Sequence, residues 1–147
     1  MKKRIVQLTV RNRSGILNQL TDTFAERGIS LDHVLCTAAH TTPTVVLGFT
    51  APDAVAHHLC RILGRLPDVT SVQEIDAEAP TVRSFALVAL KREGLDADLL
   101  EGFQIIAEET DRVIADCADT PRGLDARLAA LEERGLLLRA IATSAAI

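Results

Sequence analysis

Between Arg4 and Leu31 the hydrophobic period changes once, from two to about 3.6, and it changes across four small or polar residues. Arg4-Ile-Val-Gln-Leu-Thr-Val10 alternates and puts Val6, Leu8 and Val10 on one face, as a half-buried strand does. Asn12-Arg13-Ser14-Gly15 follows, and then Leu17, Leu20, Thr21 and Phe24 recur at helical spacing until Arg27-Gly28. A strand must therefore hand over directly to a helix through a tight corner. Ser14 is the residue type that caps such a helix, and Gly28 is the type that ends one.

The same alternation of periods continues. Residues 29–38 and 44–50 read as strands, separated by the turn signal Thr42-Pro43. Ala51-Pro52-Asp53 opens a second helix with the stripe Val55, Leu59, Ile62 and Leu66. Residues 69–75 close the set as a fourth strand. The order β-α-β-β-α-β predicts an α+β, ferredoxin-like module: a four-stranded antiparallel sheet with both helices on one face. Residues 77–81 read as a linker. From 82 the plan restarts as β-α-β-α-β, with a helix through Leu99, Phe103 and Ile106 and another carrying Leu124, Leu128 and Leu131. The expected division is 1–76, a linker 77–81, and a second ferredoxin-like module over 82–147 that is reduced by one strand.

Composition narrows the function. The chain has 147 residues, a net charge of −4, no Trp or Tyr and four Phe. Base stacking on aromatic faces loses its main device. Strand alternation splits Lys2, Lys3, Arg4, Arg11 and Arg13 over two faces, so no nucleic-acid partner is expected. No apolar stretch has the length of a membrane helix, and the residues after Met1 do not form a signal peptide. Three scattered cysteines, 36, 60 and 117, fit reduced thiols in a cytoplasm. His33, Cys36 and His40, like His57 and Cys60, lack the four-ligand spacing of a zinc site. No oxyanion-hole motif accompanies Cys36 as a nucleophile. Neither catalytic residues, nor a metal, nor a cofactor is expected.

The corner itself has chemistry. First-turn amides of a helix lack internal acceptors, their partial positive charge favours an anion, and glycine permits close approach. Asn12, Ser14 and Gly15 thus make a small carboxylate site, and Asn12 can orient a zwitterion. The alternative is a plain cap and turn.

Arg4-Ile-Val-Gln-Leu-Thr-Val-Arg-Asn-Arg-Ser-Gly-Ile-Leu17, followed by Phe24-Ala-Glu-Arg-Gly-Ile-Ser-Leu31, resembles an ACT domain. More narrowly it resembles the regulatory (small) subunit family of acetolactate synthase, where Asn-x-Ser-Gly-x-Leu precedes the first helix. The opening of the second half, residues 82–90, is similar to that family's C-terminal module. The resemblance implies a non-catalytic subunit that pairs through its ACT modules and binds a branched-chain amino acid, usually valine, at the subunit interface. It also implies docking on a thiamine-diphosphate-dependent catalytic subunit. Carried over, Asn12, Ser14, Gly15, Ile16 and Leu17 match the ligand loop. Ser30 stands where the family has an asparagine, and serine cannot offer an amide donor and acceptor together. The competing expectation is a stand-alone ACT pairing module with neither effector nor catalytic partner.

Overall fold

The computed structural model describes residues 1–38 and 42–147, in two compact units, Met1–Ala79 and Pro80–Ile147. Unit 1 contains β1 (Lys2–Val10), α1 (Ile16–Ala25), β2 (Leu31–Thr37), β3 (Thr44–Ala51), α2 (Asp53–Leu63) and β4 (Val69–Asp76). Its sheet is antiparallel in the order β2-β3-β1-β4, so β2 and β4 are the edges. This is the ferredoxin-like order expected from the sequence. The face of alternation becomes the core: Val6, Leu8 and Val10 of β1 and Val45, Leu47 and Phe49 of β3 are buried under Leu20 and Phe24 of α1 and Leu59 and Leu63 of α2. Each such side chain contributes about 1.5–3 kcal/mol by leaving water. The Phe24 and Phe49 rings meet edge to face at 5.0 Å, a favoured aromatic geometry.

The buried face of α1 is Ile16, Leu20, Thr23 and Phe24 rather than the stripe that includes Leu17 and Thr21. Leu17 is 41% exposed, and the Thr21 hydroxyl returns to the Leu17 and Asn18 carbonyls. The helix closes with the Ile29 N–H on the Phe24 carbonyl at 3.1 Å, the long-range bond of a Schellman turn.

Unit 2 corrects the expectation. It contains β5 (Val82–Lys91), β6 (Gln104–Glu108), β7 (Arg112–Asp119), α3 (Pro121–Glu133) and β8 (Leu137–Ala146), with sheet order β6-β7-β5-β8. All four strands of the ferredoxin-like sheet are present; the missing element is a helix, the counterpart of α1. The helix expected through Leu99, Phe103 and Ile106 does not form. Gly102, with φ of 82°, interrupts it, and a Cβ there would lie 2.7 Å from the Arg127 guanidinium; the left-handed conformation is one an α-helix does not pass through. Ile106 instead lies in edge strand β6, whose residues are all exposed. Leu95, Leu99, Leu100 and Phe103 still pack against the core of Val88, Leu90, Ala115, Leu124 and Leu131, as an irregular cover. Helix α3 starts as the sequence predicts, with the Thr120 hydroxyl accepting from Gly123 N–H at 3.1 Å and Pro121 in the first turn.

Candidate functional site

The corner between β1 and α1 is held from both sides. Val10 N–H donates to the Pro43 carbonyl at 3.0 Å and Arg11 N–H to the Asp68 carbonyl at 2.8 Å. Arg13 lies 3.4 Å from the Asp68 carboxylate. These contacts fix where the strand ends and the turn begins. Gly15 is the N-cap residue, with φ of 86° and ψ of −4°. Gly15 has no side chain to cap the helix, no acid stands in the first turn, and among the described residues no side chain accepts from the first-turn amides. Ser14 therefore does not cap α1, because the left-handed Gly15 occupies the cap position. Ile16 N–H turns back to the Arg13 carbonyl at 3.2 Å, and regular helical bonding starts with Gln19 N–H on the Gly15 carbonyl at 3.1 Å. Asn12, Ser14, Gly15 and Leu17 are exposed, while Ile16 enters the core. The corner thus presents uncapped amides, two short polar side chains and one apolar side chain to the outside. A Cβ built on Gly15 meets nothing within 4 Å.

Ser30 is not at this corner. In register, Leu31 pairs with Phe49, and Phe49 with Arg4, whereas the corner follows Val10. Six residues of strand separate the two levels, roughly 20 Å at 3.3 Å per residue. Within one chain the expected site is therefore split between opposite ends of the sheet. Ser30 lines a cavity of about 800 Å³ at the far end, between the close of α1 and the start of α2. Ile29, Val55 and Leu59 give it an apolar floor, and Arg27, Asp32 and His58 lie at its walls. Sequence reasoning missed this cavity, because its residues come from three separated stretches, Met1, 27–32 and 50–59.

The topology supplies one way to reunite the parts. β2 is an edge strand, and an unpaired edge is a template for another chain. Pairing two β2 strands antiparallel about a twofold axis reverses the direction of the second sheet. The Ser30 end of one copy then comes level, along the strands, with the Asn12–Leu17 corner of the other.

The rival chemistries find little support. Among the described residues no three His, Cys, Asp or Glu side chains come together as a metal site; His40 lies outside the described residues. His33 pairs with Gly48 and Cys36 with Val45, so they point to opposite faces of the sheet. The Cys60 thiol is pushed up to about 11, by burial and then by the nearby Glu74 carboxylate, so it stays protonated at neutral pH and is a poor nucleophile. Three of the five basic N-terminal residues are engaged with acids: Arg4 with Asp53 and Glu74, Lys2 with Asp53 at 3.6 Å, and Arg13 with Asp68. No helix among the described residues is long and apolar enough to cross a membrane.

The fold and corner define a ferredoxin-like arrangement of the ACT type, one module with two helices followed by one with a single helix. The chain resembles the small subunit of acetolactate synthase in sequence and in fold. It is 33% identical over 91 residues to the acetolactate synthase small subunit of Bacillus subtilis (strain 168), over 58% of this chain and 52% of that protein. The chain thus spans about half the length of the curated relative it matches. In fold it is similar to the acetolactate synthase small subunit from Thermotoga maritima, with a TM-score of 0.81, 18% identity, and coverage of 100% of this chain and 97% of that one. No family model matches the chain.

Proposed function

We propose that this chain is a non-catalytic regulatory subunit of acetolactate synthase type. It binds a small apolar amino acid between the unit 1 modules of two copies, and it modulates a thiamine-diphosphate-dependent catalytic subunit in the cytoplasm. The observation that carries the ligand reading is the front of α1, left without a side-chain cap at a left-handed Gly15. The helix end supplies about 0.3–1 kcal/mol, up to about 2 when partly buried, whereas a micromolar ligand needs about 8 kcal/mol. The remainder must come from directed hydrogen bonds and an apolar pocket. Asn12 and Ser14 offer the former, and the floor at Ile29, Val55 and Leu59 of the second copy offers the latter. Ser30 sits at the mouth of that pocket and is exposed. The amino acid binds only as part of a pair, and it favours the paired state by its differential affinity for it. Coupling of this kind to a catalytic partner is typically about 1–3 kcal/mol.

The test is a thermal-shift panel of valine, leucine, isoleucine and other amino acids. At least one apolar amino acid is expected to stabilise the chain saturably, by about 2.7 kcal/mol at a hundredfold excess over Kd. Gly15→Asp, which places a carboxylate where the ligand's carboxylate would lie, abolishes the response. The alternative is a stand-alone pairing module. Ser30 favours it, being too short to replace an asparagine's paired donor and acceptor. A flat panel at millimolar ligand with the dimer intact selects that alternative.

A further inference from the structure

An amino acid brings two charges to its site, and the corner of unit 1 answers one of them. The uncapped front of α1 suits a carboxylate. An ammonium group held against an apolar floor also needs an acceptor, because a charge taken from water without a partner is costly. Asn12, Ser14 and Ser30 are all neutral. The Ser30 cavity holds a charged acceptor. Among the described residues that line it, Asp32 alone carries a carboxylate.

Asp32 is exposed and uncommitted. The Thr50 hydroxyl donates to it at 3.4 Å, longer than an ordinary O–H···O bond. It is in no ion pair among the described residues. The basic side chains on the same cavity are engaged elsewhere. Arg27 donates to the Thr23 carbonyl at 2.7 Å and lies 3.4 Å from the Glu26 carboxylate, and His58 Nδ1 lies 3.2 Å from the Arg61 guanidinium. The strand also departs from regularity here. Leu31 pairs with Phe49 and His33 with Gly48, so Asp32 is an extra residue in β2. Bulges of this kind re-aim a side chain, and Asp32 shares the cavity wall with Ser30, two residues earlier in the chain.

Given the effector site proposed for unit 1, on which this rests, we infer that the Asp32 carboxylate receives the ligand's ammonium group. Asp32 thereby makes the site select amino acids over otherwise identical acids that lack that group. With the side chain on Ile29, Val55 and Leu59 and the carboxylate at the other copy's corner, the ammonium is the end left for Asp32. Both charges favour one orientation. Asp32 repels a carboxylate placed in the cavity, and the first-turn amides repel an ammonium placed at the corner. An acid with a hydroxyl in place of the ammonium keeps the corner and the floor but gives Asp32 no opposite charge. A hydrogen bond between charged groups is stronger than a neutral one, while solvent at an exposed carboxylate screens it. The discrimination is therefore on the order of tenfold, well short of the roughly 10⁴ that enclosed sites reach.

The test is isothermal titration of the full chain with L-valine, L-leucine and L-phenylalanine, each beside its 2-hydroxy acid analogue. At least one amino acid is expected to bind about tenfold tighter than its analogue. Asp32→Asn should bring the pair to within about twofold by weakening the amino acid alone. Asp32→Glu, which keeps the charge, should retain the preference. A thermal melt of each variant checks that it is folded. An undiminished preference in folded Asp32→Asn overturns the assignment and leaves the effector site standing. An equal loss of both ligands also overturns it, since Asp32 then acts on the pocket or the pairing rather than on the ammonium. A parent that binds none of these acids takes the effector site down, and the role of Asp32 with it.

Discussion

Gly15 carries two separable properties, a backbone conformation and an open approach to the front of α1, and substitution distinguishes them. At φ of 86° an L-residue costs about 1–2 kcal/mol relative to glycine. Alanine restricts the unfolded chain and returns about 0.4–1 kcal/mol. Nothing lies within 4 Å of the new Cβ, so no packing penalty is added. Gly15→Ala should therefore destabilise by about 1 kcal/mol net, and a unit the size of Met1–Ala79 should melt about 4–8 °C lower. Gly15→Asp should be no worse than Gly15→Ala: aspartate visits the left-handed region more readily, and its charge gains about 0.3–1 kcal/mol from the helix end. Yet Gly15→Asp should lose the response to amino acid entirely, so stability and binding move apart. The assay is a thermal melt and a urea titration of the three proteins, with and without ligand. If Gly15→Ala is as stable as the parent, Gly15 is not held left-handed. The amides then do not face outward, and the anion reading falls with them.

Other perturbations test the surroundings. Gly48 lies under the His33 ring, and an added methyl would fall inside the imidazole; Gly48→Ala should destabilise by about 1–3 kcal/mol, and a denaturation double-mutant cycle with His33→Ala should show coupling above about 0.5 kcal/mol. The Asp119 carboxyl is held below its ordinary value of 3.8, first by the Arg127 guanidinium at 2.9 Å and then by the Thr120 N–H at 2.7 Å. Its folded value lies below its unfolded one, so its stabilisation is full above the ordinary value and is lost as pH falls through the folded value. Asp119→Asn should flatten the acid side of a melting profile taken downward from about pH 5. Iodoacetamide at pH 8 should modify exposed Cys36 well before Cys60, whose thiol is pushed up to about 11; peptide mass spectrometry reads the order, and prior modification of Cys60 would contradict its burial.

What the sequence made legible follows from which forces are local. Period two in Arg4–Val10 and period 3.6 after Gly15 are one-dimensional patterns, and unit 1 folds along them. The Thr120-Pro121 start of α3 is equally local, a hydroxyl reaching an amide three residues on. The helix expected through Leu99, Phe103 and Ile106 does not form, yet Leu99 and Phe103 do cover a core, and burial alone prints a helix-like spacing. The contrary signal was present in Gly94 and Gly102, both left-handed in the structure, yet a glycine in sequence does not declare its φ. Ser14 was misread for a related reason: the residue type favours a cap, and the neighbouring glycine's conformation took the position. Ser30 enters the expected site only through the family resemblance, and strand register, a tertiary property, carries it to the opposite end of the sheet from the corner. That last displacement bears on function. On the proposed reading, the corner and the Ser30 cavity, roughly 20 Å apart in one chain, belong to one site that a second chain completes by running the other way along the β2 edge. Unit 2, lacking a counterpart of α1, has no equivalent strand-to-helix corner among its described residues. In the proposed pair each chain brings one corner and one Ser30 cavity, so two ligands per dimer is the stoichiometry that isothermal titration should return; one ligand per dimer would mean that the corner and the cavity do not meet across the twofold.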